Sequence, residues 1–96
     1  EVLAHHPRSP DVHRLRGEYA NRLFRHEDAV AAFEEAARLD PSSALAQWDL
    51  ALAYLQCGRE DEARRRLVRA LRQGLDQSRQ RHAMLLLARL PTGRPS

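Results

Sequence analysis

Ninety-six residues, 43% hydrophobic and 30% charged, suit one domain with a modest core and leave no room for a catalytic domain beside a binding one. No run approaches the ~20 apolar residues of a membrane-spanning helix, and no short apolar stretch follows a basic start as in a signal peptide. The net charge of +3 rests on arginine alone: all 16 basic residues are Arg, and Lys and Ile are absent. That bias reads as a GC-rich, bacterial genome more than as selection for guanidinium chemistry.

In chain order, Glu1 to Pro7 reads as the end of a helix that begins upstream, so residues 1–9 are expected to be the tail of a preceding unit and a linker, and the chain a segment of a longer one. Ser9-Pro10-Asp11 is a helix start: a serine able to cap, a proline where no amide donor is needed, and an acid at the positive end. Val12, Leu15, Tyr19 and Leu23 then fall at helical spacing, predicting a first helix of about 10–23 with those four on its apolar stripe. Phe24-Arg25-His26 turns the chain. Glu27-Asp28 opens a second helix, with Ala29, Val30, Phe33, Ala36, Ala37 and Leu39 inward, and Asp40-Pro41-Ser42-Ser43 ends it and supplies the next serine cap.

The third helix, 44–57, is apolar on almost every side, with only Gln47, Asp49 and Gln56 strongly polar, so more than one face must be covered. Gly58 ends it, since glycine takes the left-handed C-terminal conformation freely. A fourth helix, 60–73, turns Ala63, Leu67, Val68, Ala70 and Leu71 inward and its arginines outward, and Gly74 ends it. Glu60, Asp61 and Glu62 stand four places before Arg64, Arg65 and Arg66, a spacing that predicts three ion pairs worth about 0.2 to 0.5 kcal/mol each. Arg69 and Arg72 favour the helix's negative end. The basic cluster therefore reads as a solvated face, and no aromatic interleaves it to stack on bases, which argues against nucleic acid. A fifth helix, 77–90, is followed by a tail, 91–96, too rich in breakers to be ordered.

Ala29, Phe33, Ala36 and Pro41 recur 34 residues later as Ala63, Leu67, Ala70 and Leu75, and Pro7 lies 34 before Pro41. Such a period marks a repeat protein, in which no unit buries its own apolar face and neighbours must stack. Short helices in antiparallel pairs with brief turns give an all-α fold, an α-solenoid.

These residues resemble the tetratricopeptide repeat. In the first unit Gly17, Ala29, Phe33, Ala36 and Pro41 stand at the family's glycine, alanine, aromatic, alanine and proline; in the second, Leu50, Ala51, Tyr54, Gly58, Ala63, Leu67 and Ala70 do the same. The resemblance divides the chain into unit 1 at 10–43, unit 2 at 44–77, and a helix at 77–90 that either opens a third repeat or closes the array as a capping helix. Arg16 and Ala20 depart from the family's leucine and tyrosine, which implies a small rotation that packs the first helix through Leu15 and Tyr19 instead. Phe24 takes the place of the turn glycine, and Leu75 that of the second unit's proline.

The resemblance also implies a non-catalytic protein-interaction module whose partner lies in the concave groove lined by the first helix of each pair. The partner-binding positions are Arg14, Glu18, Asn21, Leu45, Trp48, Asp49, Leu52, Leu55, Arg79 and His82. Trp48 stands one place after the family's usual tryptophan, which turns it toward the groove as the first choice of hot spot, with packing on the neighbouring helix as the alternative. Some relatives clamp a chaperone's C-terminal carboxylate with basic residues and asparagines. Here Arg14 and Arg79 match the basic ends, but Glu18 and Asp49 replace the asparagines and Ala83 the last basic residue, and carboxylates repel a carboxylate. The partner expected instead is an apolar or helical segment with some basic character, paired to Glu18 or Asp49.

Cys57 sits at a helix C-terminus, where the dipole disfavours a thiolate, and reads as a packing residue. As the single cysteine it forms no internal disulfide, which is compatible with a reducing compartment such as the cytoplasm without fixing one. The adjacent His5 and His6 diverge on a helix, and with His13 and His26 they complete no ligand set, so neither a metal nor another cofactor is expected. A second reading is structural: the run Met84 to Leu87 is wider than one core stripe and suits a homo-oligomer formed through the end helices, which Leu86→Glu would dissolve.

Overall fold

The computed structural model describes residues 9–90. The expectations about residues 1–8 and 91–96 lie outside them. Five helices follow in order: α1 (Pro10–Arg22), α2 (His26–Leu39), α3 (Ala44–Gln56), α4 (Glu60–Gln73) and α5 (Gln77–Arg89). Among the described residues there is no strand. α1 pairs with α2 and α3 with α4, α2 packs on α3, α5 packs on α4, and α1 reaches α3, which makes the stack an α-solenoid.

α1 begins on Pro10 with Asp11 in its first turn, as its sequence predicts, but Ser9 only supplies extended backbone and its side chain makes no cap bond. Its stripe is also corrected. The buried residues are Val12, His13, Gly17 and Ala20, whereas Leu15 and Tyr19 are each 64% exposed and Leu23 44%. No rotation toward Leu15 and Tyr19 takes place, because Gly17 already holds the register. A Cβ there would stand 2.7 Å from the Phe33 ring, so a bare backbone at position 17 is what lets α2 bring its aromatic ring against α1.

The first helices of the two pairs end in the same way. After α1 the Arg25 N–H donates to Ala20 O at 2.9 Å and the Phe24 N–H to Asn21 O at 3.0 Å; after α3 the Arg59 N–H donates to Tyr54 O at 2.9 Å and the Gly58 N–H to Leu55 O at 3.1 Å. Both are Schellman turns, which need a left-handed residue. Gly58 supplies it at φ 75°, and Phe24 is forced into it at φ 60°. α3 has the serine cap its sequence predicts, Ser43 Oγ accepting from the Ala46 N–H at 3.1 Å, and α5 is capped by Asp76, which accepts from the Arg79 N–H at 3.2 Å.

The core runs through two clusters. Phe33, Val30, Leu50, Tyr54 and small residues join α1, α2, α3 and α4; Trp48, Ala51, Leu67, Ala70 and Ala83 join α3, α4 and α5. Alanines at Ala29, Ala36, Ala51, Ala63 and Ala70 are fully buried, and their small volume sets the close approach of the helices. The expected row of ion pairs on α4 is replaced by another. Asp61 takes Arg64 at 3.1 Å, Glu62 turns back to grip Arg59 with both oxygens at 2.7 and 2.9 Å, and Arg66 leaves the helix surface to donate to the buried Gln47 at 3.0 Å. Gln47 is buried, and an amide oxygen there needs a donor, which Arg66, the arginine that the spacing assigned to Glu62, supplies.

Candidate functional site

The first helices of the pairs, α1 and α3, together with α5, carry all ten expected partner-binding residues. At the centre Arg14 on α1 reaches Asp49 on α3, Nε to Oδ2 at 2.9 Å, with the side chains only 25% and 16% exposed. Burial pushes the Asp49 carboxyl above its ordinary value, against the pull of Arg14; Glu18 pushes the same way, and Arg79 on α5 pulls it down. Three helices thus bring Arg14, Glu18, Asp49 and Arg79 into one electrostatic group. Arg79 is also held by its own helix cap, donating to Asp76 at 2.8 Å.

Leu45, Leu52 and Leu55 are half-buried on α3, Leu45 and Leu52 against the second core cluster and Leu55 against the first. Asn21 on α1 has its Oδ1 buried without a hydrogen-bond partner, an acceptor left unused by the fold. Glu18 is exposed. With Asp49 bound to Arg14, Glu18 is the exposed carboxylate of the two.

Trp48 is corrected. It is 5% exposed, packed with Ala51, Leu67 and Ala83, and its ring meets His82 edge-on at 5.2 Å between centroids and 63° between planes. α5 covers it, so the packing alternative holds and the tryptophan is not a surface anchor. His82 remains exposed on the other side of that contact. Met84 to Leu87 divides as well: Leu86 and Leu87 are half-buried against the second core cluster, whereas Met84 and Leu85 are 57% and 58% exposed.

Sequence reasoning missed the polar seam where α2, α3 and α4 meet. The Tyr54 hydroxyl donates to Glu34 at 2.7 Å, and its ring lies under the Arg59 guanidinium at 4.8 Å. Glu34, Gln47, Tyr54, Arg66 and Arg69 are among the residues around a hollow of about 380 Å³. Its signal was Gln47, a strongly polar residue on a helix otherwise apolar all round. At Cys57 partial burial and then the Glu27 carboxylate push the thiol upward, which leaves it less able to act as a nucleophile.

The paired packing of α1 to α4, with small residues at the crossings, now meets a family model: the tetratricopeptide repeat matches residues 22–90 of the 96. The chain belongs to the tetratricopeptide-repeat family. The match begins at the last residue of α1, so the helix with Arg16 and Ala20 in place of leucine and tyrosine lies almost wholly outside it. Tetratricopeptide repeats generally act as non-catalytic modules in protein–protein interaction, and no described helix of this one is long and apolar enough to cross a membrane. No curated protein matches the chain.

Proposed function

We propose that this tetratricopeptide-repeat chain binds a helical or apolar segment of a partner protein along the face of α1, α3 and α5. The observation that carries the reading is that α3 holds the half-buried Leu45, Leu52 and Leu55 together with Asp49, which joins the ion group of Arg14, Glu18 and Arg79. An apolar strip next to charge that is already placed suits a partner helix with one apolar face and a basic flank. The basic flank meets the exposed Glu18. Trp48 supports this face from below by holding α5 to α3, and His82 and Arg79 form its far rim.

The test is selection from a displayed library of amphipathic helical peptides, followed by amide chemical-shift mapping of the bound form. Selected peptides are expected to be leucine- and lysine-rich, to shift residues around Leu52 and Glu18, and to lose about tenfold or more in affinity on Leu52→Asp. Selected peptides that map to Arg65 and Arg69 on α4, or that bind Leu52→Asp equally well, overturn it.

A further inference from the structure

The arginines of α4 are not neutralised as their spacing predicts. Asp61 goes to Arg64 and Glu62 to Arg59, and Arg65, Arg66 and Arg69 form no ion pair among the described residues. Arg65 and Arg66 stand four and three places before Arg69, so like charges share one side of the helix, which destabilises it unless an anion offsets them. Two hollows open beside them. The one of about 380 Å³ has Arg66 and Arg69 on its α4 side, Glu34 on its α2 side, and the buried Gln47 and Tyr54 of α3 beneath. The other, of about 220 Å³, is lined by Arg65, Arg66 and Arg69, so the two share a pair of guanidinium groups. Gln47 is 1% exposed and accepts from Arg66 at 3.0 Å. Arginine only donates, which fixes the amide oxygen on that side, and the amide N–H2 then finds no acceptor among the described residues. A buried donor left without an acceptor is uncommon in a folded chain. This one lines the same hollow as two arginines without a carboxylate, and all three groups suit a negatively charged acceptor.

We infer that these hollows bind an acidic segment of a polypeptide, one carboxylate seated among Arg66, Arg69 and the Gln47 amide and a neighbouring one between Arg65 and Arg69. The larger hollow selects a carboxylate over a phosphate. A phosphomonoester carries a charge of about −1.5 to −2 at neutral pH, so Glu34 repels it nearly twice as strongly as it repels a carboxylate. Ala37, Pro41 and Leu50 also line the hollow and give the methylenes of a glutamate side chain an apolar wall. Nucleic acid is disfavoured, because Tyr54, the aromatic residue of this hollow, is 3% exposed with Arg59 over its ring and offers no face for a base to stack on. The site shares no residue with the groove of α1, α3 and α5 and asks for the opposite charge in its ligand, so the two readings stand or fall separately.

The experiment titrates the full chain, labelled with nitrogen-15, with a hexaglutamate peptide blocked at both ends, at low salt. The side-chain amide of Gln47 and the Nε–H groups of Arg66 and Arg69 are expected to shift together and to saturate, whereas a blocked hexaglutamine peptide moves none of them. Arg65→Gln with Arg69→Gln should weaken the glutamate peptide at least about tenfold. Both arginines are exposed, so helical content should hold in that variant. Glu34→Gln keeps an acceptor for the Tyr54 hydroxyl and removes the opposing charge, and should tighten binding about threefold or more; Glu60→Gln, the same change of net charge outside the hollow, should do less. Tripolyphosphate should bind more weakly than the peptide. Absence of binding, shifts centred on Arg81 and Arg89, or affinity unchanged in the double variant overturns the inference. So does an equal gain from Glu34→Gln and Glu60→Gln, which would mean attraction by net charge alone, or tripolyphosphate that binds the more tightly, which would assign the hollows to phosphate.

Discussion

Phe24 is the residue where the repeat is most out of register with its own geometry. The Schellman turn after α1 needs a left-handed residue, and a side chain there clashes with the backbone at a cost of about 1 to 2 kcal/mol that Gly58 avoids one repeat later. The exposed ring recovers only an edge contact with His26 at 6.2 Å between centroids. Phe24→Gly is therefore expected to stabilise the fold by about 1 kcal/mol, read as a rise in melting temperature with unchanged helical content. Tyr54 makes a second residue-scale prediction. Burial, and next the hydrogen bond it donates to Glu34, push its phenol up to about 12. A group whose folded value is raised contributes stability below its unfolded value of about 10 and loses it as pH rises through the folded one. In a Tyr19→Phe background, phenolate absorbance should appear near that raised value and coincide with loss of helix. Phenolate forming at the ordinary tyrosine value with the helices intact would contradict the burial.

At the scale of elements, the bond between α1 and α3 separates two kinds of substitution. Asp49 is mostly buried and its charge is disfavoured by that burial, so Asp49→Asn, which keeps an acceptor for Arg14, is expected to change stability by less than about 1 kcal/mol. Because the folded carboxyl titrates above its ordinary value, the stability it lends declines as pH rises through that value, and Asp49→Asn should flatten this slope. Arg14→Ala strands the carboxylate and should cost about 1 to 2 kcal/mol in chemical denaturation, partial exposure softening the penalty. Helix bounds, the Ser43 cap and the buried alanines were legible because they depend on local propensity and period. The facing of α1 was not: Leu15 and Tyr19 form as good a stripe as Val12 and Ala20, and only the fit of Phe33 over Gly17 chooses between them. The candidate site was legible as a set of positions, but Trp48's burial depends on where α5 crosses α3, which no local signal encodes.

Across the whole molecule, burial is uneven. α3 is covered from several sides, whereas α5 fully buries only Ala83 and holds on through half-buried Leu86, Leu87 and Leu90. Local opening should therefore begin at α5. Its amides are expected to exchange faster than those of α3, and a chain ending at Gly74 should stay helical through α4 while Trp48 emission shifts to the red as its cover is lost. A tryptophan spectrum unchanged by that truncation would place its cover elsewhere. By itself the sequence determined a solenoid of paired helices, since the 34-residue period and the caps act over short distances along the chain. Tertiary structure alone decided which residues remain outside, because exposure depends on what another helix leaves uncovered. It took Trp48 from the surface, gave Asp49 to Arg14, and left Met84 and Leu85 exposed.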